Sequence, residues 1–541
     1  MAIALKKTAA IAIAAGLTFA GSAGIAAQDA MAQENVPAVA QKAPVADGIG
    51  EAPANLTIHK RVNPDNLRPA NGEKDDAPGG HALEGVGFSA QKIEGDITDQ
   101  ATFNKIAKMT QNHQLPKAGE LEGEAIDLGK TGTDGATEPK QLPVGAYLIT
   151  ETSVPDNAGE AYVKTDPFIV FLPMTTSDGT DWNRDVHVYP KNSMAKVTKT
   201  VVDDKVNTEA DGRKGEKQVT YTLDGVVPAT PENYDMTKFS INDSYNSAEL
   251  RKDSIESVVV KRGGADVATL VEGEGEDYTV KENTGELAPE AADAKETYDK
   301  GFEIILTEKG RAKTKANDRV VATVKATLLN AKADGKTSDQ DIHNAVNETG
   351  TFTRTPGTGE GFEPKEWETP HDEVVTYVGN IEIYKTGEVD GEKKPLEGAA
   401  FDLYRCGDAG NVIQSGVSDD KGLINFEGLH VTNFRNNEDA PADQVFEYCV
   451  KETKAPAGYS KDPNEHKITL TKDDRKTRDA KGEYVATENA LRMNGVSVNN
   501  IKSTVPLLPA TGGMGILIVA LAGLAIVGGG VYAARRNSRT A

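Results

Sequence analysis

Residues 381–385 read IEIYK, and the segment LEGAAF follows at residues 396–401. In an extended strand alternate side chains share a face, so Ile381, Ile383 and Lys385 form one stripe. A charged residue therefore continues an apolar stripe that should face a domain core. This pattern is typical of a half-buried strand, and the same order of segments recurs elsewhere in the chain.

The recurrence has three parts in each copy. A strand that ends in lysine comes first, an LEG segment follows, and a segment that contains the pair ET comes last. In order along the chain these segments are LTIHK at 56–60, LEGVGF at 83–88, GAYLITETSVP at 145–155, IEIYK at 381–385, LEGAAF at 396–401 and EYCVKETKAPAGY at 447–459. Two copies of one pattern predict two similar β domains. The region 192–373 lacks the LEG and ET segments, so we expect a third domain of a related type there.

Short alternating runs bounded by Gly, Pro, Asn and Asp are typical of all-β sandwiches. Such runs lie at 56–60, 146–150, 168–172, 186–189, 195–201, 219–223 and 320–328. One helix is predicted at 99–109, with Thr98 as its N-cap and with Phe103, Ile106 and Ala107 on one face. A single short helix leaves the all-β class unchanged.

The N-terminus predicts a secretory signal peptide over residues 1–32. A pair of lysines precedes a mostly apolar run at 9–20, and residues 30–32 read AMA, the pattern of a signal-peptidase site. We therefore expect the mature chain to begin near Gln33, with a competing cleavage site near Ala27.

The C-terminus predicts a membrane anchor. Residues 508–512 read LPATG, the 21 residues 514–534 carry no charge, and three arginines follow. A run of about 20 apolar residues is long enough to cross a bilayer as a helix. Because basic flanks stay in the cytoplasm, the rest of the chain is expected outside the cell.

Composition narrows the functional classes. The formal net charge is −23, from 83 acidic and 60 basic residues, which argues against nucleic acid or an anionic membrane surface as a partner. The only two cysteines, Cys406 and Cys449, are most simply a disulfide in an extracellular chain, with metal binding as the weaker alternative. The eight histidines are scattered and no hydrolase motif occurs, so no enzyme activity, cofactor or metal is expected.

Charged and amide side chains end several apolar stripes. Lys60 and Lys385 end two of them, Glu151 and Glu452 end the stripes of the ET segments, and Asn500 ends that of the last strand. An unpaired ammonium in a core is unfavourable by several kcal/mol, so it must pair or lose its proton. These residues are therefore expected to converge in apolar surroundings.

This arrangement resembles that of the collagen-adhesin-type sandwiches of Gram-positive pilins. In that family a buried lysine attacks an asparagine side chain, a nearby acid assists the loss of ammonia, and an isopeptide bond remains. The resemblance implies three tandem immunoglobulin-like sandwiches of the collagen-adhesin A and B types. It assigns three sets of lysine, asparagine and acid: Lys60, Asn192 and Glu151; Lys199, Asn344 and Asp243; Lys385, Asn500 and Glu452.

Alternatives remain for these assignments. Lys196 and Asn347 are the competitors in the middle set. Asn499 competes with Asn500, although it points off the apolar face. Each set is alternatively an ordinary buried ion pair, with the asparagine at a strand end. Burial favours the reactive interpretation, because it lowers the pKa of a lysine and raises that of a carboxyl group.

A different lysine is expected to face outward. In WNRDVHVYPKN, residues 182–192, Val186 and Val188 point one way, so Tyr189 and Lys191 should point the other. The proline between them stops the strand from accepting another neighbour. Lys191 is therefore predicted at an exposed edge near a domain junction, where a lysine is ordinarily just a solvated charge.

The same segment resembles the pilin motif, in which W, V, V, Y, P and K recur at this spacing. The resemblance implies that the Lys191 amine attacks an acyl-enzyme formed between a sortase cysteine and the LPxTG threonine of another subunit. The segment 448–459 likewise resembles the pilin E-box, with Glu452 at its acidic position.

The C-terminal pentapeptide resembles the cell-wall sorting signal of Gram-positive surface proteins. All five positions match: Leu508, Pro509, Ala510, Thr511 and Gly512. The resemblance implies that sortase cleaves after Thr511 and transfers its carboxyl group to an amine.

Together these motifs predict the major shaft subunit of a sortase-assembled fimbria. Its partners would be other copies of itself, pilin-specific and housekeeping sortases, minor pilins and peptidoglycan. The alternative is a wall-anchored adhesin or minor pilin that does not polymerise. The expected divisions are a signal peptide at 1–32, domains at 33–193, 194–373 and 374–504, and the sorting signal with its membrane span at 505–541.

Overall fold

A computed structural model describes residues 46–64, 71–157, 159–203, 218–284, 298–329, 341–358, 362–479, 483–487 and 490–503. The predicted signal peptide, the LPATG motif and the membrane span lie outside these residues. Within the described ranges, no helix is long and apolar enough to cross a membrane.

Strands form most of the described chain, as the alternating pattern predicts. The first group comprises β1 Ala54–Ile58, β2 Arg61–Val62, β3 His81–Ala82, β4 Gly87–Ile93, β5 Leu121–Lys130, β6 Lys140–Leu142, β7 Gly145–Ser153, β8 Glu160–Val163, β9 Phe168–Leu172, β10 Met174–Thr175, β11 Trp182–Asn183 and β12 Asp185–Val188. The second group comprises β13 Lys191–Val202, β14 Gln218–Val226, β15 Tyr234–Tyr245, β16 Leu250–Arg262, β17 Ala265–Thr269, β18 Tyr278–Thr284, β19 Lys300–Leu306, β20 Arg319–Leu328, β21 Asp341–Arg354 and β22 Lys365–Glu368.

The third group lies in the C-terminal part of the described chain. It comprises β23 Asp372–Val389, β24 Glu392–Pro395, β25 Ala400–Arg405, β26 Gln414–Val417, β27 Leu423–His430, β28 Phe434–Arg435, β29 Glu438–Asp439, β30 Tyr448–Lys454, β31 Glu465–Ile468, β32 Arg475–Arg478, β33 Tyr484–Ala486 and β34 Leu491–Asn500. Among the described residues, the α-helices are α1 Gln100–Gln111 and α2 Glu308–Arg311, and single 3-10 turns lie at Ala46–Gly48, Ala118–Glu120 and Ala442–Gln444. The all-β class predicted from sequence is confirmed.

The described residues form two compact units. The first contains residues up to 377 together with 434–439, and the second contains 378–433 and 440–503. The first unit thus holds both the predicted N-terminal and middle domains, and the three-domain division stays a prediction.

Four main sheets build the first unit. Their strand orders are β12-β1-β6; β5-β4-β7-β9; β17-β16-β20-β14-β13-β2-β3 with β8 on β13; and β18-β19-β15-β21 with β22 and the start of β23 on β21. Strand β13 is central, because it pairs with β14 and β8 in antiparallel fashion and with β2 in parallel. It therefore carries residues of both the N-terminal and the middle sets.

The second unit is built on the remainder of β23. This strand pairs in parallel with β34, the last strand of the described chain, and antiparallel with β27 and β24. A second sheet has the order β26-β25-β30-β31. The predicted stripe residues Ile381, Ile383 and Lys385 are all fully buried.

Helix α1 begins one residue later than predicted. Its N-cap is Asp99, whose carboxylate accepts a hydrogen bond from the Thr102 backbone N–H at 2.8 Å. The predicted cap, Thr98, is wrong, because its hydroxyl and its backbone N–H both donate to Asp96 in a local turn. The predicted inner face is confirmed, since Phe103 and its two partners are buried.

Strand β1 begins and ends two residues earlier than predicted. It ends at Ile58, and His59 forms only an isolated bridge to Ala136. Lys60 therefore lies just beyond the strand, where its side chain is nevertheless completely buried.

Candidate functional site

The N-terminal set converges around one carboxylate in the first unit. Lys60 Nζ lies 2.7 Å from Glu151 Oε2, and Asn192 Nδ2 donates to Glu151 Oε1 at 2.6 Å. Glu151 comes from β7, Asn192 from the start of β13, and Lys60 from the turn after β1. All three are buried. The structure thus brings together the lysine, acid and asparagine that the pilin resemblance assigns.

The surroundings of Lys60 favour loss of its proton. Burial lowers the pKa of Lys60 to about 8, and the attraction of the Glu151 carboxylate offsets this only in part. The ring of Phe88 forms one wall, with its centroid 5.6 Å from Nζ. A buried amine with a depressed pKa is a stronger nucleophile near neutral pH, because more of it is unprotonated.

The middle set meets between β13, β15 and β21. Lys199 Nζ donates to Asp243 Oδ2, and both side chains are buried. Burial raises the pKa of Asp243, and Lys199 and the Asn344 amide partly offset this rise. Burial lowers the pKa of Lys199. The Tyr221 ring lies 4.9 Å from Lys199 Nζ.

The competing residues of the middle set lie elsewhere. Lys196 is partly exposed and its Nζ is 3.6 Å from Glu160. Asn347 donates to Glu368 at 2.8 Å and accepts from Asn242 at 3.0 Å. The geometry therefore favours Lys199 and Asn344 over these alternatives.

The C-terminal set lies in the second unit. Lys385 on β23 donates to Asn500 Oδ1 on β34, and its Nζ is 3.6 Å from Glu452 Oε1 on β30. Asn500 Nδ2 donates to the same Glu452 oxygen at 2.9 Å. Burial lowers the pKa of Lys385. The competitor Asn499 is exposed and accepts a hydrogen bond from the Thr386 hydroxyl at 3.2 Å.

Backbone donors complete two of the sets, and sequence reasoning missed them. The Asp462 N–H donates to Glu452 Oε2 at 2.6 Å, and the Thr165 N–H donates to Glu151 Oε2 at 3.2 Å. In both sets one carboxylate oxygen faces the asparagine amide and the other is held by a loop. Backbone donors carry no residue signature, so no sequence pattern indicates them.

The exposed position predicted for Lys191 is wrong, and its neighbour Tyr189 is covered as well. Tyr189 is buried, stacks on His59 with ring centroids 4.7 Å apart, and accepts a hydrogen bond from the Asp75 N–H at 2.6 Å. Lys191 is half-buried. The segment around Gly72 covers this face, since its carbonyl accepts from the His187 N–H. Strand alternation gives the direction of a side chain but not what folds over it.

Lys191 lines a cleft of about 110 Å³ in the first unit. Other lining residues are His113, Asp166, Phe168, Glu232, Arg354 and Phe362. Burial lowers the pKa of Lys191, while the charges of Glu232 and Asp75 oppose that change. The pilin-motif lysine thus opens onto a concave surface with both apolar and charged walls.

The predicted Cys406–Cys449 disulfide is confirmed. It joins the end of β25 to β30 in the second unit, with Cα atoms 4.9 Å apart. Cys449 alternates along β30 with Tyr448 and Val450, and it is fully buried. Glu465 on the neighbouring strand lies against its sulfur at 3.0 Å.

Two family models match parts of the chain. Residues 51–193 match the family model for the Gram-positive pilin subunit D1, N-terminal domain, and residues 379–484 match the SpaA prealbumin-like fold domain. The fold and both family matches are those of Gram-positive pilus subunits, which supports a subunit of a cell-surface pilus.

The individual relatives are fimbrial subunits and a major pilin. The chain is 28% identical over 534 residues to fimbrial subunit type 1 of Actinomyces viscosus, covering 90% of this chain and 91% of that protein. It is 28% identical to fimbrial subunit type 2 of Actinomyces naeslundii, with the same coverage. The solved structure of the full-length major pilin SpaD from Corynebacterium diphtheriae is 27% identical, with a TM-score of 0.59 over 84% of this chain and 98% of that one. The chain resembles the shaft pilins of the corynebacterial and actinomycete type.

Proposed function

We propose that the chain is the major shaft subunit of a fimbria, polymerised by a pilin-specific sortase through Lys191 of one copy and Thr511 of the next. A housekeeping sortase then attaches the finished fibre to peptidoglycan, and minor pilins join the same fibre. The mature ectodomain comprises domains at 33–193, 194–373 and 374–504, each closed by one internal isopeptide bond.

The position of Lys191 carries this proposal. Its side chain opens onto the cleft of the first unit, and burial depresses its pKa. In the proposed reaction the Lys191 amine attacks the thioester carbonyl of Thr511, the sortase cysteine leaves as a thiol, and an amide bond remains. An amine that loses its proton more readily suits this step, and a concave surface suits the approach of an extended peptide.

The three buried sets support the internal bonds. Each brings a lysine, an acid and an asparagine into contact where an isolated charge would be unfavourable. The lysine ammonium and the asparagine amide become one neutral secondary amide. The buried lysine charge is thereby removed permanently.

The test is the polymer itself. Wall extracts of cells that express the Lys191→Ala variant are compared in boiling detergent with wild type and with Lys196→Ala, a partly exposed lysine of the same strand. We expect a high-mass ladder in wild type and in Lys196→Ala, and only monomer in Lys191→Ala. Lys191→Arg keeps the charge and most of the packing, so it should also give monomer. A ladder that persists in both Lys191 variants would rule out the proposed linkage.

A further inference from the structure

The loop at residues 164–167 touches the reacting groups of the N-terminal set. The Thr165 backbone N–H donates to Asn192 Oδ1 at 2.9 Å, in addition to its longer bond to Glu151. Asn192 Nδ2 donates a hydrogen bond to Glu151 Oε1, so the hydrogen-bond network fixes the orientation of the amide. The Thr165 N–H therefore points at the oxygen on which negative charge would develop if Lys60 attacked the Asn192 side chain.

We propose that the Thr165 backbone N–H is the oxyanion donor for formation of the Lys60–Asn192 bond, and that Asp166 positions it. This inference rests on the proposed internal bond. A preorganised donor aimed at a developing oxyanion stabilises the transition state more than the ground state, and loss of one such donor typically slows a reaction by about 10²- to 10³-fold.

The reaction balances with the groups present. Lys60 passes one proton to Glu151, and its amine adds to Asn192 Cγ while the carbonyl electron pair moves onto Oδ1. Glu151 returns that proton to Nδ2, the Cγ–Nδ2 bond breaks as the carbonyl re-forms, and ammonia leaves. The remaining extra proton on the Lys60 nitrogen goes to the ammonia through Glu151. An ammonium and a carboxamide thus become a secondary amide and an ammonium ion.

The loop at residues 164–167 is held by side chains of β21 and β22, which lie outside the N-terminal sheets. Asp166 lies 2.6 Å from Lys365 Nζ on β22 and 3.2 Å from Arg354 on β21. Lys365 also donates to the Lys164 carbonyl at 2.7 Å. The Arg354 guanidinium stacks over the Tyr234 ring at 5.0 Å. Strands of the middle region therefore fix the backbone on either side of Thr165.

The other two sets lack this contact. In the described part of the chain, Asn344 Oδ1 accepts no hydrogen bond. Asn500 Oδ1 accepts from Lys385 itself, while the equivalent loop donor, Asp462 N–H, reaches only Glu452. These two bonds serve as internal controls, because a change at residue 165 should not affect their formation.

The experiment follows bond formation in the full chain. Protein made by cell-free synthesis is trapped unreacted in urea and refolded, and the crosslinked peptide pair that contains Lys60 and Asn192 is quantified against time by mass spectrometry. The decisive variant replaces Thr165 with its α-hydroxy acid, which changes the backbone N–H to an oxygen and keeps the side chain. We expect the N-terminal bond to form about 10²-fold more slowly or worse, with the other two bonds unchanged.

Side-chain variants separate the donor from its support. Thr165→Ala keeps the N–H and should react at the wild-type rate. Asp166→Ala should slow the N-terminal bond alone, Asp166→Asn should restore part of the rate, and the exposed Asp156→Ala should have no effect. Unchanged rates in the Asp166 variants would overturn the positioning role.

The outcomes separate failure of the Lys60–Asn192 crosslink from failure of the oxyanion role of Thr165. A wild-type chain that never forms the N-terminal bond overturns the proposed crosslink and this inference with it. A wild-type chain that forms the bond, beside an α-hydroxy variant that forms it equally fast, overturns the inference alone.

Discussion

Lysine side chains at the ends of apolar stripes are the feature from which the sites can be derived. A lysine that is buried needs a partner, and alternation along a strand shows which lysines are buried. Lys60 and Lys385 are predictable in this way. Lys199 is harder to predict, because its strand is longer and Lys196 on the same strand is an equally plausible candidate for the buried lysine. The structure separates them, since only Lys199 reaches Asp243.

Intact mass tests the internal bonds directly. Each bond releases one ammonia, so the mature ectodomain should be lighter than its sequence mass by about 17 Da per bond. Glu151→Ala, Asp243→Ala and Glu452→Ala should each restore the mass of one ammonia. An unshifted wild-type mass would rule out all three bonds, and a variant without effect would rule out its own site.

The pH dependence of bond formation follows from the Lys60–Glu151 pair. The reactive form, a neutral amine beside a neutral acid, holds the same single proton as the ion pair. The pKa of Lys60 is lowered to about 8, so the pair loses that proton above this pH and no acid remains for the leaving ammonia. We expect the rate of the N-terminal bond to be flat near neutral pH and to fall above about 8. A rate that rises through pH 9 would contradict this assignment of the proton.

At the scale of the element, the strands could be predicted from the sequence, but the segments that pack over them could not. The run at 168–172 is β9 to the residue, and the inner face of α1 is as expected, because both depend on local periodicity. The N-cap was misassigned because Thr98 donates instead to Asp96, two residues earlier. The burial of Tyr189 and the loop donors at Thr165 and Asp462 depend on long-range folding of segments that carry no signal of their own.

Helix α1 provides a test of element packing. Phe103 is buried with its ring 4.9 Å from Phe171 and 6.2 Å from Trp182, measured between centroids. Phe103→Ala should therefore destabilise the first unit by about 3–5 kcal/mol through the cavity that it leaves. Trp182 fluorescence in denaturant, measured in a Trp367→Phe background, reports the change.

A control on the same helix gives the comparison. Lys105 is exposed and pairs with Glu120 at 3.2 Å on the surface, so Lys105→Ala should change stability by no more than about 0.5 kcal/mol. Equal effects of the Phe103 and Lys105 variants would show that the helix does not anchor this core.

At the scale of the whole molecule, the proposed bonds define the path of force along a fibre. In the proposed fibre, force enters a subunit at Lys191 and leaves at Thr511. It passes along β13 to Lys199, crosses to Asn344, and later crosses from Lys385 to Asn500. The Lys60–Asn192 bond lies off this path, because force passes along the backbone from Lys191 directly to Asn192 and does not run through the residues before Lys191.

Single-molecule extension tests this path. Monomers are pulled through a Lys191→Cys handle and the C-terminus of the ectodomain. Without the Lys385–Asn500 bond, the Glu452→Ala variant can extend through the 115-residue interval between these two residues. The Cys406–Cys449 disulfide keeps 43 of these residues from extending. Each molecule should therefore lengthen by about 25 nm more than wild type. Glu151→Ala should extend like wild type. Extension in Glu151→Ala, or none in Glu452→Ala, would contradict the path.

The linkage between copies is the central claim, and peptide mapping of purified fibres tests it most directly. After protease digestion, tandem mass spectrometry should identify a branched peptide in which the Lys191 side-chain amine is joined to the carboxyl group of Thr511. Fibres in which Lys191 is unmodified and Thr511 is joined to a different lysine would contradict the claim.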